Sequence, residues 1–337
     1  MTTLRIGIIG GGAWGTALGH LAARAGCETL LWARDPAVVD AINERSENPR
    51  RLAGCQLDPA LRATNRVADA CAADAVLLVV PAQQVRAVAT ELSERVAPDT
   101  PVVCCAKGIE MATGLMMSEV LATASPGTMA GCLSGPTFAA EAVAGTPTAA
   151  TLALPDPDRA RQVADALASR YFRPYISTDV IGAETGGAVK NVLAIACGIA
   201  MSRGFGENTR AALITRGLAE ATRLAVALGG QAGTLAGLAG LGDVSLSCVS
   251  RQSRNYRFGE ALGRGETVAD AERNAGGVVE GRHTAAAVVL RARQAGSDAP
   301  ICEAVDRVVN RGKDLDRAIA DLLGRPLRSE HGGEPPA

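Results

Sequence analysis

The run Leu4-Arg5-Ile6-Gly7-Ile8-Ile9 is almost wholly apolar and rich in β-branched residues, and it flows directly into Gly10-Gly11-Gly12-Ala13-Trp14-Gly15. An apolar helical face starts just beyond, at Ala17-Leu18. The pattern predicts a buried strand, a tight glycine turn and a helix. Similar apolar runs recur at 28–33, 75–80 (stopped by Pro81), 101–105, 129–134 and 148–154, with a last extended segment at 173–178. Helical patterns lie between them, one opening near Pro36 and another at Asp156-Pro157, where Asp suits the cap and Pro the first turn. Strand and helix alternating at this spacing predict a parallel sheet covered on both faces.

From residue 182 the texture changes to long Ala-, Leu- and Gly-rich helical patterns without clear strands. Helices are expected at 182–203, 209–228, 253–262, 283–294 and 302–310. The chain therefore divides into an α/β dinucleotide-binding region at 1–180 and an all-helical substrate and catalytic region at 181–324. A polar, Gly- and Pro-rich tail at 325–337 is expected to be disordered.

Composition narrows the choice. A chain of 337 residues suits about two domains. The formal net charge of −1 argues against nucleic acid or an anionic membrane as a partner, so any anionic ligand must be held by local groups. Nine cysteines without C-x-x-C spacing or a paired His read as reduced, small apolar residues, with no metal site. A strand at the N-terminus leaves no room for a signal peptide. The longest apolar stretch, 188–201, carries Lys190 and Asn191 near its start and is too short to span a bilayer. These features predict a cytoplasmic protein without membrane insertion.

In the first turn each glycine has a physical use. Gly10 permits the tight turn, Gly12 lets a pyrophosphate approach the backbone, and Gly15 lets the helix pack against the strand. The free N–H groups and positive dipole end of the helix then face the phosphates. A turn of this kind also serves as structure alone, and its place between an N-terminal strand and a helix favours the dinucleotide.

Ligands of doubly wound sheets lie beyond the carboxyl ends of the strands. The loops Ala106-Lys107-Gly108-Ile109-Glu110 and Ser134-Gly135-Pro136-Thr137-Phe138-Ala139 occupy such ends, and Lys107 there either neutralises an anion or is simply solvated. Lys190 is the more telling residue, an ammonium in a helix almost free of charge. Such a group must pair, snorkel to water or do chemistry. Desolvation and a cationic nicotinamide nearby would favour its neutral form, as a general acid/base requires. Asp243, after the glycine-rich 237–242, orients Lys190, binds a hydroxyl or caps a helix. Gln252-Ser253-Arg254-Asn255 is either a polar helix start or a clasp for a phosphate.

Taken together, these segments resemble the bacterial-type NAD(P)-dependent glycerol-3-phosphate dehydrogenases. The matching stretches are Gly10-x-Gly12-x-Trp14-Gly15-Thr16-Ala17-Leu18, Lys107 to Glu110, Leu133 to Ala139, Gly186-Gly187-Ala188-Val189-Lys190-Asn191, Gly240-Leu241-Gly242-Asp243, Gln252 to Asn255 and Val278-Val279-Glu280-Gly281, in order over nearly the whole chain. The resemblance implies a Rossmann-type parallel sheet followed by an all-α C-terminal domain. It also implies interconversion of sn-glycerol 3-phosphate and dihydroxyacetone phosphate with NADP(H) or NAD(H), supplying the glycerol-phosphate backbone of membrane lipids. Lys190 matches the acid/base, with Asp243 and Asn191 as polar neighbours. Lys107, Gly135, Thr137, Ser253, Arg254 and Asn255 match substrate positions. Gly10, Gly12, Ala13, Trp14, Gly15, Arg34, Lys107, Ala139, Arg254, Val278 and Glu280 fall at cofactor positions, although Trp14 also suits plain packing.

This chain departs from the family pattern in places. Asn48-Pro49-Arg50-Arg51-Leu52-Ala53 puts Arg51 where an aromatic residue is usual, and Ser247 replaces a common Thr. His283 matches no catalytic position. At the end of the second strand Arg34 stands where NAD-specific proteins tend to place an acid, which predicts that NADPH serves at least as well as NADH. The rival reading within this architecture is a β-hydroxyacid dehydrogenase or ketopantoate reductase. The former places Asn four residues after its lysine, where this chain has Ala194, and neither substrate explains Ser253-Arg254-Asn255. A non-catalytic nucleotide sensor is a further alternative, against which Lys190 speaks. The oligomeric state is left open, a homodimer being one option.

Overall fold

The computed structural model describes residues 3–326. Eight strands, β1 (Arg5–Ile9), β2 (Glu28–Trp32), β3 (Arg62–Thr64), β4 (Ala75–Leu78), β5 (Pro101–Cys104), β6 (Met129–Ser134), β7 (Thr148–Ala153) and β8 (Phe172–Ser177), form one sheet. Their order is β3-β2-β1-β4-β5-β6-β7-β8. All neighbours run parallel except β6 and β7, which are antiparallel. The expected parallel sheet is thus extended by one reversed pair. The chain order jumps between β3 and β4, so the strand sequence reverses at β1, and the ends of β1 and β4 flank the crevice where such sheets bind ligands.

Alternation along the strands sends side chains to two cores. Ile6, Ile8, Leu77, Val103 and Leu133 pack with the helices Ala13–Arg24 and Pro157–Leu167 on one face. Val76, Leu78, Val102 and Cys104 pack with Val85–Leu92 and Met117–Ala124 on the other. Covering both faces explains why the central strands read as continuous apolar runs. All nine cysteines carry free thiols, and eight of them are buried.

Beyond β8 the described chain is helical, and its core is built around Val180–Ser202. Asp179 caps this helix by accepting from Gly182 N at 2.9 Å, so it begins two residues earlier than the pattern predicts. At 23 residues it is long and apolar enough, by length and composition, to cross a membrane. In the protein it lies mostly buried among other helices, with Val189, Val192, Leu193 and Ile195 inside the core. The helices Gly206–Ala227, Arg254–Gly263, Glu280–Gln294 and Pro300–Val309 pack with it into a third core. The sequence pattern misses the three-residue β3 and the short helices Ala232–Leu235, Asp243–Val249, Val268–Asn274 and Leu315–Leu323, whose apolar signal is too brief to stand out. Residues 327–337, most of the tail expected to be disordered, lie outside the described residues.

Candidate functional site

At the end of β1 the three motif glycines occupy distinct environments. Gly10 has φ +130°, and a Cβ there would strike the Val79 carbonyl oxygen just after β4. A Cβ on Gly15 would strike the Gly10 carbonyl, so the helix sits as close to the turn as glycine allows. At Gly12, by contrast, nothing lies within 4 Å of an added Cβ. The turn therefore presents bare backbone to open space at the start of the helix Ala13–Arg24, which fits a dinucleotide pyrophosphate. Trp14 is half-buried against the sheet core, with its indole Nε1 shielded and without a partner among the described residues. Arg34 is exposed after β2, while Asp35 caps the next helix through Ala37 N at 3.0 Å and pairs with Arg50.

A second set of groups meets beyond the ends of β5 and β6. The long helix approaches this point through Gly186 and Gly187. An added Cβ would lie 2.5 Å from the Ala239 carbonyl oxygen at Gly186 and 2.5 Å from Ser134 Oγ at Gly187. On its other side, 238–242 forms one wide π-type turn that ends at Asp243, an irregularity common at functional positions. Contact that close sets Lys190 beside Asp243.

Asp243 is the hub of the site. Its side chain is 2% exposed, and it carries Lys107 Nζ 2.6 Å from Oδ2 and Lys190 Nζ 3.2 Å from Oδ1. Lys107 also donates to the Gly135 carbonyl at 2.7 Å, and Lys190 to Ser247 Oγ at 3.0 Å. Ser247 Oγ in turn donates a hydrogen bond to Asp243 Oδ1 at 3.1 Å. Burial alone would raise the Asp243 carboxyl, but the two lysines outweigh it and hold it below the usual carboxylate range. Burial lowers the Lys107 ammonium below its ordinary value; Asp243 opposes the shift and the charge of Lys190 adds to it. A carboxylate shared by two ammonium groups leaves the cluster with a net positive charge, suited to an anionic substrate.

Around the hub runs a chain of amides. Asn191 donates to the Lys107 carbonyl at 2.8 Å, Asn255 donates to Asn191 Oδ1 at 2.8 Å, and Gly281 N donates to Asn255 Oδ1 at 3.0 Å. Ser253 caps Arg254–Gly263 through Tyr256 N, and the Arg254 guanidinium lies along the backbone of Gly277, where a Cβ would come 2.8 Å from Nη1. Thr137 Oγ1 donates to the Gly135 carbonyl at 3.3 Å, and Ala139 opens the short helix Ala139–Val143. Glu280 accepts from Ala82 N at 3.3 Å, tying the helical half to the loop after β4, three residues from Val79. Burial raises its carboxyl, against the pull of the Ala82 N–H and of Arg254. Pro81, Ala82, Gln83, Val278, Glu280 and His283 line a cavity at this junction.

Lys107, Gly135, Lys190, Asn191, Asp243 and Asn255 thus meet in one hydrogen-bonded cluster, and Glu280, next to Gly281, ties it to the loop after β4. No hydrogen bond among the described residues joins Trp14 or Arg34 to that cluster. Three features are absent from the sequence reading. Ser247 contacts both Lys190 and Asp243; its position four residues after Asp243 places the two on one helix face. Gln83 brackets the Lys107 loop by donating to the Ile109 carbonyl at 2.8 Å and accepting from Met111 N at 3.0 Å. Arg86 holds Glu110 of that loop with two bonds of 2.8 Å. Lysine content would also have pointed to the hub: the chain has lysine only at 107, 190 and 313, among 34 Lys and Arg residues. Arginine, whose proton does not leave, serves nearly everywhere else.

Two family models cover most of the chain, the NAD-dependent glycerol-3-phosphate dehydrogenase N-terminus at 5–160 and its C-terminus at 179–320. A glycerol-3-phosphate dehydrogenase (NAD(P)+) of Parvibaculum lavamentivorans is 51% identical over 326 residues, covering 97% of this chain and 98% of that protein. The Rhodospirillum rubrum protein of the same name is 52% identical, covering 98% of this chain and 95% of its own length. Among solved structures, the glycerol-3-phosphate dehydrogenase of Coxiella burnetii superposes with a TM-score of 0.90 at 35% identity, covering 96% and 99% of the two chains. A ketopantoate reductase from Ralstonia eutropha shares the fold, with a TM-score of 0.60 at 18% identity over 94% of this chain and 99% of its own.

Proposed function

The chain belongs to the NAD-dependent glycerol-3-phosphate dehydrogenase family, and from that premise we propose that Lys190 is the acid–base group of its reaction. The enzyme interconverts sn-glycerol 3-phosphate and dihydroxyacetone phosphate with NADP(H) or NAD(H), and so supplies glycerol 3-phosphate for phospholipid synthesis. When bound, the nicotinamide supplies or accepts the hydride. The backbone at Gly10, Gly12 and Gly15, with Ala13 and Trp14, would hold the dinucleotide on the first half, and Ala139, Val278, Glu280 and Arg254 would close over it from the crevice.

In the reducing direction the Lys190 ammonium gives one proton to the C2 carbonyl oxygen of dihydroxyacetone phosphate. In oxidation its neutral amine takes that proton back from the C2 hydroxyl. Asp243 and Ser247 fix the amine, and Asn191 anchors the helix that carries it to the Lys107 loop. Lys107, with Gly135 and Thr137, holds the substrate from the sheet side, while Ser253, Arg254 and Asn255 hold the phosphate from the helical side. The observation that carries this reading is the pair of lysines, one from each half, meeting on a single buried carboxylate. The division at residue 180 belongs to the same proposal, because hydride donor and proton donor then come from different halves. Action in the cytoplasm, without membrane insertion, belongs to it too.

The test is reduction of dihydroxyacetone phosphate, followed by loss of NADPH absorbance. Lys190→Met is expected to lower kcat by about a thousandfold, with NADPH affinity unchanged. A variant that still turns over at the wild-type rate removes the assignment.

A further inference from the structure

The two halves are joined unevenly. Toward the sheet face carrying Val85–Leu92 and Met117–Ala124, the helical half is fastened repeatedly. Glu184 accepts from Ser118 N at 2.8 Å and from Ser118 Oγ at 2.6 Å, and Arg291 pairs with Glu119 at 2.5 Å. Gln294 reaches the Thr113 carbonyl at 3.3 Å, and Glu280 holds Ala82 N. Glu184 is committed deeply, since burial pushes its carboxyl up to about 7 against the two Ser118 bonds. The opposite face, with the helices Ala13–Arg24 and Ala139–Val143, differs. Among the described residues a single side-chain hydrogen bond crosses from it to the helical half: Gln252 Nε2 donates to Glu141 Oε1 at 2.7 Å.

That bond lies between the two loops to which substrate binding has been assigned. Gln252 directly precedes Ser253, the cap of the helix that starts with Arg254 and Asn255. Glu141 is the third residue of the short helix that follows Gly135 and Thr137 and starts at Ala139. Gln252 is exposed, and its N–H is held by Ser250 Oγ at 3.1 Å, so the side chain reaches outward from a fixed backbone. We propose that Glu141 and Gln252 form a clasp across the mouth of the crevice. The pair positions the Ser253-Arg254-Asn255 cluster over the Gly135–Ala139 loop once a phosphorylated substrate lies between them.

The inference rests on the substrate placement proposed above, but it concerns retention of substrate rather than the chemical step. Both residues are positioning residues. A clasp of this kind acts mainly on substrate release. Its effect on the dinucleotide is smaller, because most of that seat, the glycine turn, lies wholly on the first half and only Arg254 and Ala139 adjoin the clasp.

The experiment measures KM for dihydroxyacetone phosphate, equilibrium binding of glycerol 3-phosphate to the NADP+-loaded enzyme, and NADPH affinity. Gln252→Glu sets two carboxylates against each other and is expected to raise KM and weaken glycerol 3-phosphate about tenfold, whereas Gln252→Ala costs about threefold. The exchange Glu141→Gln with Gln252→Glu restores the bond with donor and acceptor reversed. It is expected to return both values to within about twofold of wild type, with NADPH affinity changing less than either value throughout. If the exchange fails to rescue, the effect belongs to charge near the phosphate and the clasp is overturned. Wild-type KM and binding in both single variants overturn it as well. Lys190→Met reports on kcat, so the acid–base assignment stands or falls separately.

Discussion

The two halves of this enzyme build their contributions to one crevice from different materials. The sheet half offers the proposed cofactor seat mainly as backbone: a turn at φ +130°, a helix start and a glycine with empty space before it. The helical half offers side chains, most of them buried and tied to one another through Asp243, Asn191 and Asn255. Backbone N–H groups keep their partial charge at any pH and need no partner to hold them. A buried ammonium or carboxylate, in contrast, is tolerated only within a complete set of partners. The first half is therefore sensitive to shape, the second to the removal of any single charge.

The largest effect is expected at Asp243. Asp243→Asn leaves two ammonium groups facing each other in a buried place without their counter-charge, a loss of about 3–5 kcal/mol for a broken buried pair. Thermal unfolding should show it, and turnover should fall because Lys190 loses its anchor. The pH dependence has a definite sign. The Asp243 carboxyl titrates below its unfolded value, so its stabilisation is complete above the ordinary carboxyl range and is lost as pH falls through the depressed value. The variant should lack that part of the acid limb. Unaltered melting and an unaltered acid limb would mean that the lysines do not depend on Asp243, and the contrast between the halves would break.

On the backbone side, Gly10 and Gly12 separate two uses of glycine. Gly10→Ala forces a side chain into the left-handed region and against the Val79 carbonyl, costing about 1–3 kcal/mol of stability. Gly12→Ala meets no atom within 4 Å, so melting should stay within about 0.5 kcal/mol of wild type. NADPH affinity should nevertheless fall by about tenfold, because the new methyl occupies the approach of the pyrophosphate. Calorimetric titration and a melting curve on each variant decide it. An unchanged affinity for Gly12→Ala would leave the turn as structure alone.

The same difference governs what could be read before the fold was known. The glycine turn is local, so its spacing carried nearly all of its meaning, and the eight strands showed through their apolar runs except for β3, three residues at the edge of the sheet. In the second half, Lys190 and Asp243 stand 53 positions apart, and nothing in periodicity says that one carboxylate receives both Lys107 and Lys190. Resemblance to a family supplied the membership of that cluster, while its wiring came from the fold. Ser247, which replaces a common Thr, touches both Lys190 and Asp243, a contact set by the fold. Glu184 and Gln252 carried no local signal of their contacts with the other half, because such contacts depend on how the halves sit together.

The smallest effect tests a side chain that belongs to the backbone half. Asp35, one residue beyond Arg34, is already engaged by Ala37 N and Arg50 and is not free to accept from a ribose 2′-hydroxyl. Arg34 beside it is exposed, so the charge free to meet a ligand there is positive, as a 2′-phosphate requires. Arg34→Ala should raise KM for NADPH by about five- to tenfold, the worth of roughly 1 kcal/mol at an exposed site, and leave kcat/KM with NADH within about twofold. Steady-state rates with both cofactors at matched ionic strength provide the check. An equal loss for both would place Arg34 outside the discrimination and leave the sheet half recognising its cofactor through backbone alone.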